Sequence, residues 1–173
     1  MKKIALILLF AGLATHAFSQ VGDLSVGLKS GYATNYDNFL YGFDVAYNLT
    51  GALEVAFTGL MNPEISQTDD WYTPPRTEKL SVYSANLDAR LYIISSRTFG
   101  IGPALGGQYF AVKNKTKEAG TFNTLGFNIG VHGKVHITDN LLVNGGWRYT
   151  NAKEKTAKHS LFYLGVAYVF QTR

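Results

Sequence analysis

The sequence predicts an all-β fold, an eight-stranded, antiparallel, up-and-down barrel that crosses a membrane with its strands. Three observations carry this. Hydrophobicity alternates with period two over eight segments of the 173-residue chain. The connections between those segments alternate between tight and long. The less apolar face of each segment is small as well as polar, where a water-facing surface would accept long charged side chains.

The first stretch, MKKIALILLFAGLATHAFSQ, has the three parts of an export signal. Lys2 and Lys3 supply positive charge, Ile4 to Leu13 an apolar run, and Ala17-Phe18-Ser19 a small-x-small cleavage site. Residues 1–19 are therefore expected to be a signal peptide and residues 20–173 a single barrel domain. An exported chain without cysteine cannot rely on disulfides. Without Lys2 and Lys3, the 16 basic residues become 14 against 12 acidic ones, so the high pI comes partly from the leader. No concentrated basic stripe marks a nucleic-acid partner.

The segments fall at about 23–33, 39–49, 52–61, 79–93, 99–111, 122–137, 141–150 and 159–170. In FLYGFDVAYNL, Phe39, Tyr41, Phe43, Val45, Tyr47 and Leu49 share one face, opposite Leu40, Gly42, Asp44, Ala46 and Asn48. LGFNIGVHGKVHI repeats the pattern. Thr50-Gly51, Ser95-Ser96-Arg97 and Thr138-Asp139-Asn140 form the tight connections. The longest of the others is NPEISQTDDWYTPPRTEK, whose Pro74-Pro75 pair cannot sit inside a sheet. Short turns at one end, long loops at the other and an even strand count mark a bacterial transmembrane barrel.

The inward faces are rich in small residues, such as Gly100, Gly102, Ala104 and Gly106, as the narrow lumen of eight strands requires. Tyr32, Phe39, Tyr41, Tyr83, Tyr109, Trp147, Tyr149 and Phe162 gather toward the long loops. Tyr47, Phe99, Tyr168 and Phe170 gather toward the tight turns, giving two interfacial girdles.

The final segment, LFYLGVAYVF, is apolar on both faces and resembles the terminal strand of outer-membrane proteins. In those proteins the closing aromatic is read by the barrel assembly machinery, and Phe170 stands in that place. Gln171-Thr172-Arg173 follow it, a departure from the usual terminal aromatic. Residues 23–170 as a whole resemble the small bacterial outer-membrane β-barrels of the OmpX and OmpA-barrel type. The leader followed by Gln20 is similar to exported proteins of Bacteroidota. The resemblance implies a monomer of the bacterial outer membrane, in contact with lipid and lipopolysaccharide. It also implies a structural or adhesion-like role.

The inward set includes Lys29, Asp44, Glu54, Asp88, Arg90, Lys134 and Arg148, with His132. Counting from the tight turns puts Asp44, Glu54, Arg90 and Lys134 at similar depth, with Asp88 and Lys29 slightly above. Charges at membrane depth are paired or functional. One reading is a proton path or an acid–base carboxylate pair. The reading adopted is an ion cluster that plugs the lumen, since eight strands leave room only for side chains. The Thr50-Gly51 turn is expected to set Asp44 nearly opposite Glu54, with Lys29, Arg90 or Lys134 between them. Leu40, Tyr92, Phe110, Leu142, Leu161 and Tyr163 are expected to fill the rest.

No catalytic, cofactor or metal pattern emerges. His132 and His136 share a face but lie about 13 Å apart on a strand, too far to chelate one ion alone. His159-Ser160 are adjacent and point to opposite faces, so they form no dyad, and His159 is read as a surface residue. Function is therefore assigned to the loops, without enzymatic activity. The alternatives are a lipid A-modifying enzyme and a narrow porin-like channel. Trp71 and Tyr72, beside Pro74-Pro75, are the candidate loop contact. Lys113, Lys115, Lys117, Lys153, Lys155 and Lys158 are candidates for lipopolysaccharide phosphates.

Overall fold

The computed structural model describes residues 21–69, 76–96, 98–115, 121–153 and 158–171. Residues 1–19, with the expected signal peptide, and Trp71 and Tyr72 lie outside that set. So do Lys117 and Lys155.

Eight strands form the barrel: β1 Leu24–Ala33, β2 Asn38–Asn48, β3 Leu53–Asp69, β4 Arg76–Leu91, β5 Phe99–Asn114, β6 Thr121–Thr138, β7 Leu141–Ala152 and β8 His159–Phe170. Each pairs antiparallel with the next. β8 then returns to β1, from Leu24 opposite Phe170 to Ala33 opposite Leu161. Closure leaves no strand as an edge along the shared height of the barrel, so backbone N–H and C=O groups are paired within the wall.

The period-two pattern sets the faces. In β8, Leu161, Tyr163, Ala167 and Val169 are buried inside, whereas Phe162, Leu164, Val166, Tyr168 and Phe170 stand outside. Leu28 is 76% exposed, Leu125 73% and Leu164 64%. A continuous belt of such residues around the whole wall is far larger than the apolar patch a water-soluble monomer carries. It matches hydrocarbon instead.

Besides a register slip between His136 and Thr138 of β6, two irregularities shape the wall. β3 carries an extra residue against β4 between Asn62 and Ile65. There Pro63, which has no N–H to give to a ladder, finds a tolerated place. The Ser81 hydroxyl closes the gap by donating to the Pro63 carbonyl at 2.7 Å. Past the bulge the inward parity of β3 flips, so Ile65 is buried and Glu64 faces outward. The second irregularity lies where β4 passes Pro103. Regular pairing between β4 and β5 stops at Arg90 opposite Ala104. It resumes one residue out of step at Ile94 opposite Ile101, in the two-residue strand Ile94–Ser95.

The strand ends correct the expected loops. Much of the supposed loop over residues 62–79 is strand, because β3 runs to Asp69 and β4 starts at Arg76. The connection after β1 spans only residues 34–37, a turn in which Tyr36 N–H donates to the Ala33 carbonyl and Asp37 has φ 49°. The two ends of the barrel differ chiefly in strand overreach. β3 to β6 run well past the ends of β2 and β7 and form a four-stranded rim on one side, here called the extended end.

Candidate functional site: the barrel interior and the extended rim

The barrel interior is filled in layers. Nearest the tight turns, Leu142, Ala167 and Val169 form a small apolar cluster. Charged side chains come next, then amides and hydroxyls. An apolar cluster of Leu40, Leu60, Ile65, Val82, Phe110 and Leu161 closes the extended end.

The seven charged residues singled out from the sequence fall into two groups. In the first, Lys134 Nζ donates to Glu54 at 3.0 Å, and Arg90 donates to the other Glu54 oxygen at 2.8 Å. Arg90 also donates to both oxygens of Asp44, at 2.8 and 3.1 Å, and Lys29 Nζ reaches Asp44 at 2.7 Å. The result is a chain of alternating sign, Lys134–Glu54–Arg90–Asp44–Lys29. In the second group Arg148 donates to Asp88 at 3.1 Å, with Asn128 on the other Asp88 oxygen at 3.3 Å. Relative exposure of every one of these side chains is 6% or less.

Strand register explains the bridging. Glu54 is directly opposite Arg90 on β4, whereas Asp44 is opposite Thr58 and Asn48 is opposite Glu54. Asp44 and Glu54 are thus not opposite one another, contrary to expectation. The β2–β3 register sets them four residues apart along the strands, and the long guanidinium spans that gap. Four cations face three acids in the two groups together. Aromatic faces support the cations: Lys29 Nζ is 4.7 Å from the Tyr163 ring centroid and Lys134 Nζ is 4.3 Å from that of Tyr92. Tyr163 also meets His132 Nδ1 at 3.1 Å through its hydroxyl.

Above the charges, Ser84, Asn86, Gln108, Asn128 and Thr150 form a neutral network. Gln108 donates to Ser84 at 2.7 Å, Asn86 to Ser84 at 2.9 Å and Asn128 to Asn86 at 3.1 Å. Sequence reasoning did not single out these residues. All sit at inward parity, which is the signal that marks them. His159 is also corrected: it is 2% exposed, inside the extended end, with its ring 5.4 Å from that of Phe110. Ser160 is on the opposite face. Among the described residues, no three His, Cys, Asp or Glu side chains are grouped to hold a metal.

On the outside of the rim, Lys79 Nζ is 2.7 Å and Lys115 Nζ 3.9 Å from the Glu64 carboxylate.

A closed wall that is apolar outside and filled with paired polar groups inside defines an integral β-barrel membrane protein. The chain belongs to the outer membrane protein beta-barrel domain family, whose profile matches residues 4–170. It is therefore an outer-membrane barrel. Among solved structures it is similar to the outer membrane protein OprG from Pseudomonas aeruginosa. For OprG the TM-score is 0.68 at 10% identity, covering 90% of this chain and 99% of that one. The N-terminal beta-barrel domain of Pseudomonas aeruginosa OprF gives 0.61 at 17% identity, over 87% and 98%. Ail, the attachment invasion locus protein of Yersinia pestis, gives 0.56 at 13% identity, over 87% and 100%. Among curated proteins no sequence relative matches. At these identities the structural likeness establishes the fold.

Proposed function

We propose that the protein is a non-enzymatic surface-interaction barrel, with an interior that serves stability and an extended end that meets partners outside the cell. The observation that carries this is the rim, where, among the described residues, β3–β6 continue past the ends of β2 and β7 and present backbone edges that the closed wall lacks. Exposed edges of this kind suit the addition of an extended strand from another chain. The likeness to a protein named for attachment supports the same reading. Phe170, at the closing seam, is proposed as the residue read by the assembly machinery, and lipopolysaccharide as the lipid around the extended end.

Orientation is tested by labelling. The chain has no cysteine, so each introduced thiol is unique. A membrane-impermeant maleimide should label Ser66→Cys on intact cells and Thr50→Cys only after permeabilisation. The reverse pattern would invert the barrel. Against a lipid A-modifying enzyme, His159 and Ser160 face opposite sides of β8 and cannot act on one atom. Lipid A from a deletion strain should have an unchanged mass spectrum, and loss of one acyl or sugar modification would favour the enzyme.

A further inference from the structure

The outer wall holds a feature that neither the interior nor the strand edges use. Beside the rings of Tyr41, Tyr83 and Tyr109, β2–β5 are hollowed into an apolar groove of about 320 Å³. The hollow exists because Gly59, an outward position, has no side chain, and Ala85 opposite it has only one carbon. Phe43 leans over the gap, since a Cβ on Gly59 would meet its ring at 2.7 Å.

Lys79 lies four residues above Tyr83 on β4, and Lys113 four residues above Tyr109 on β5. Both are outward, about 13 Å further along the strands. Lys115 follows on the same face. Glu64, brought to that face by the Pro63 bulge, ties Lys79 and Lys115 together. Among the described residues, three cations and one acid thus crown an apolar groove, with aromatic rings between them. An occupant has to be hydrocarbon at the depth of the groove and anionic at headgroup depth.

We propose that this face binds one phosphorylated glycolipid of the outer leaflet, lipid A. An acyl chain lies in the groove beside Tyr41, Phe43 and Tyr83, and a phosphate rests on Lys79, Lys113 and Lys115. The proposal rests on the orientation given above, because the opposite end of the barrel would meet phospholipid.

The test is native mass spectrometry of the purified full-length barrel in detergent. Bis-phosphorylated lipid A, dephosphorylated lipid A and phosphatidylglycerol are added in turn. One lipid A is expected to stay bound, with the other two retained at least about tenfold less. A Lys113→Gln/Lys115→Gln double variant should lose about tenfold in lipid A retention. Gly59→Leu, which fills the groove, should lose a similar amount while keeping its heat-shifted gel mobility. Glu64→Gln should strengthen retention by removing the competing acid. Equal retention of all three lipids, or indifference to both the lysine and the glycine variants, would overturn the proposal. Selective lipid A binding combined with inverted thiol labelling would overturn the orientation, and with it the place of the site in the outer leaflet.

Discussion

Arg90 holds two carboxylates that the strands keep apart. Its position opposite Glu54 supplies one contact through the β3–β4 register, and the length of the side chain supplies the other, to Asp44 on β2. The planar fork matters, because an ammonium group is a point charge and cannot satisfy both carboxylates at those separations. Replacing Arg90 with Met leaves Asp44 to Lys29 and Thr58, and Glu54 to Lys134. The expected loss is on the order of 3–5 kcal/mol, since three charge-assisted hydrogen bonds to two buried carboxylates go unreplaced. Urea unfolding of the detergent-folded barrel measures it. An Arg90→Lys variant should fall between wild type and Arg90→Met. An unchanged midpoint in Arg90→Met would show that water, and not the guanidinium, solvates the acids.

At the scale of the element, β3 carries most of the asymmetry of the molecule. Its bulge lets one strand serve two phases: Asn62 points inward below it and Ile65 inward above it. Deleting Pro63 should remove the bulge and leave the faces as they are, because Glu64 then pairs opposite Ser81 in regular register, outward between Asn62 and Ile65. Thiol labelling at residue 65 in an Ile65→Cys background tests this: weak labelling is expected with and without Pro63, and strong labelling in the deletion would show that the upper strand turns over. Strand number, faces and closure were legible in the sequence because period two persists through β2, β6 and β8. The upper ends of β3 and β4 were not. Pro63 and the flanking polar residues carry the composition of a loop, and only pairing with a neighbour keeps them extended. The charged layer was legible by parity, but the Asp44–Glu54 spacing was misjudged, because Asp44 lies six residues before Thr50 and Glu54 only three after Gly51, so no tight turn there sets them opposite. His159 was misread because polarity outweighed its inward parity near the strand end.

For the whole molecule, the stacked layers put buried side chains at each depth of the lumen among the described residues. Charges at mid-depth sit between an apolar cluster at the extended end and the smaller one of Leu142, Ala167 and Val169 near the tight turns. Wide aqueous channels are built from sixteen strands or more, whereas eight enclose only room for side chains. Purified protein in planar bilayers is therefore expected to give no steady single-channel currents above background. Regular currents that change in an Arg90→Met variant would show instead that the ion chain opens.

The pairing of Leu24 with Phe170 also has a consequence in time. The first and last strands are neighbours in space and nearly the whole chain apart in sequence, so the seam carries the largest loop-closure entropy in the molecule. A nascent chain that ends before β8 has hairpins but leaves β1 and β7 with unsatisfied edges, which hydrocarbon does not tolerate. Insertion is therefore tied to arrival of the last dozen residues, and the barrel becomes stable late and all at once.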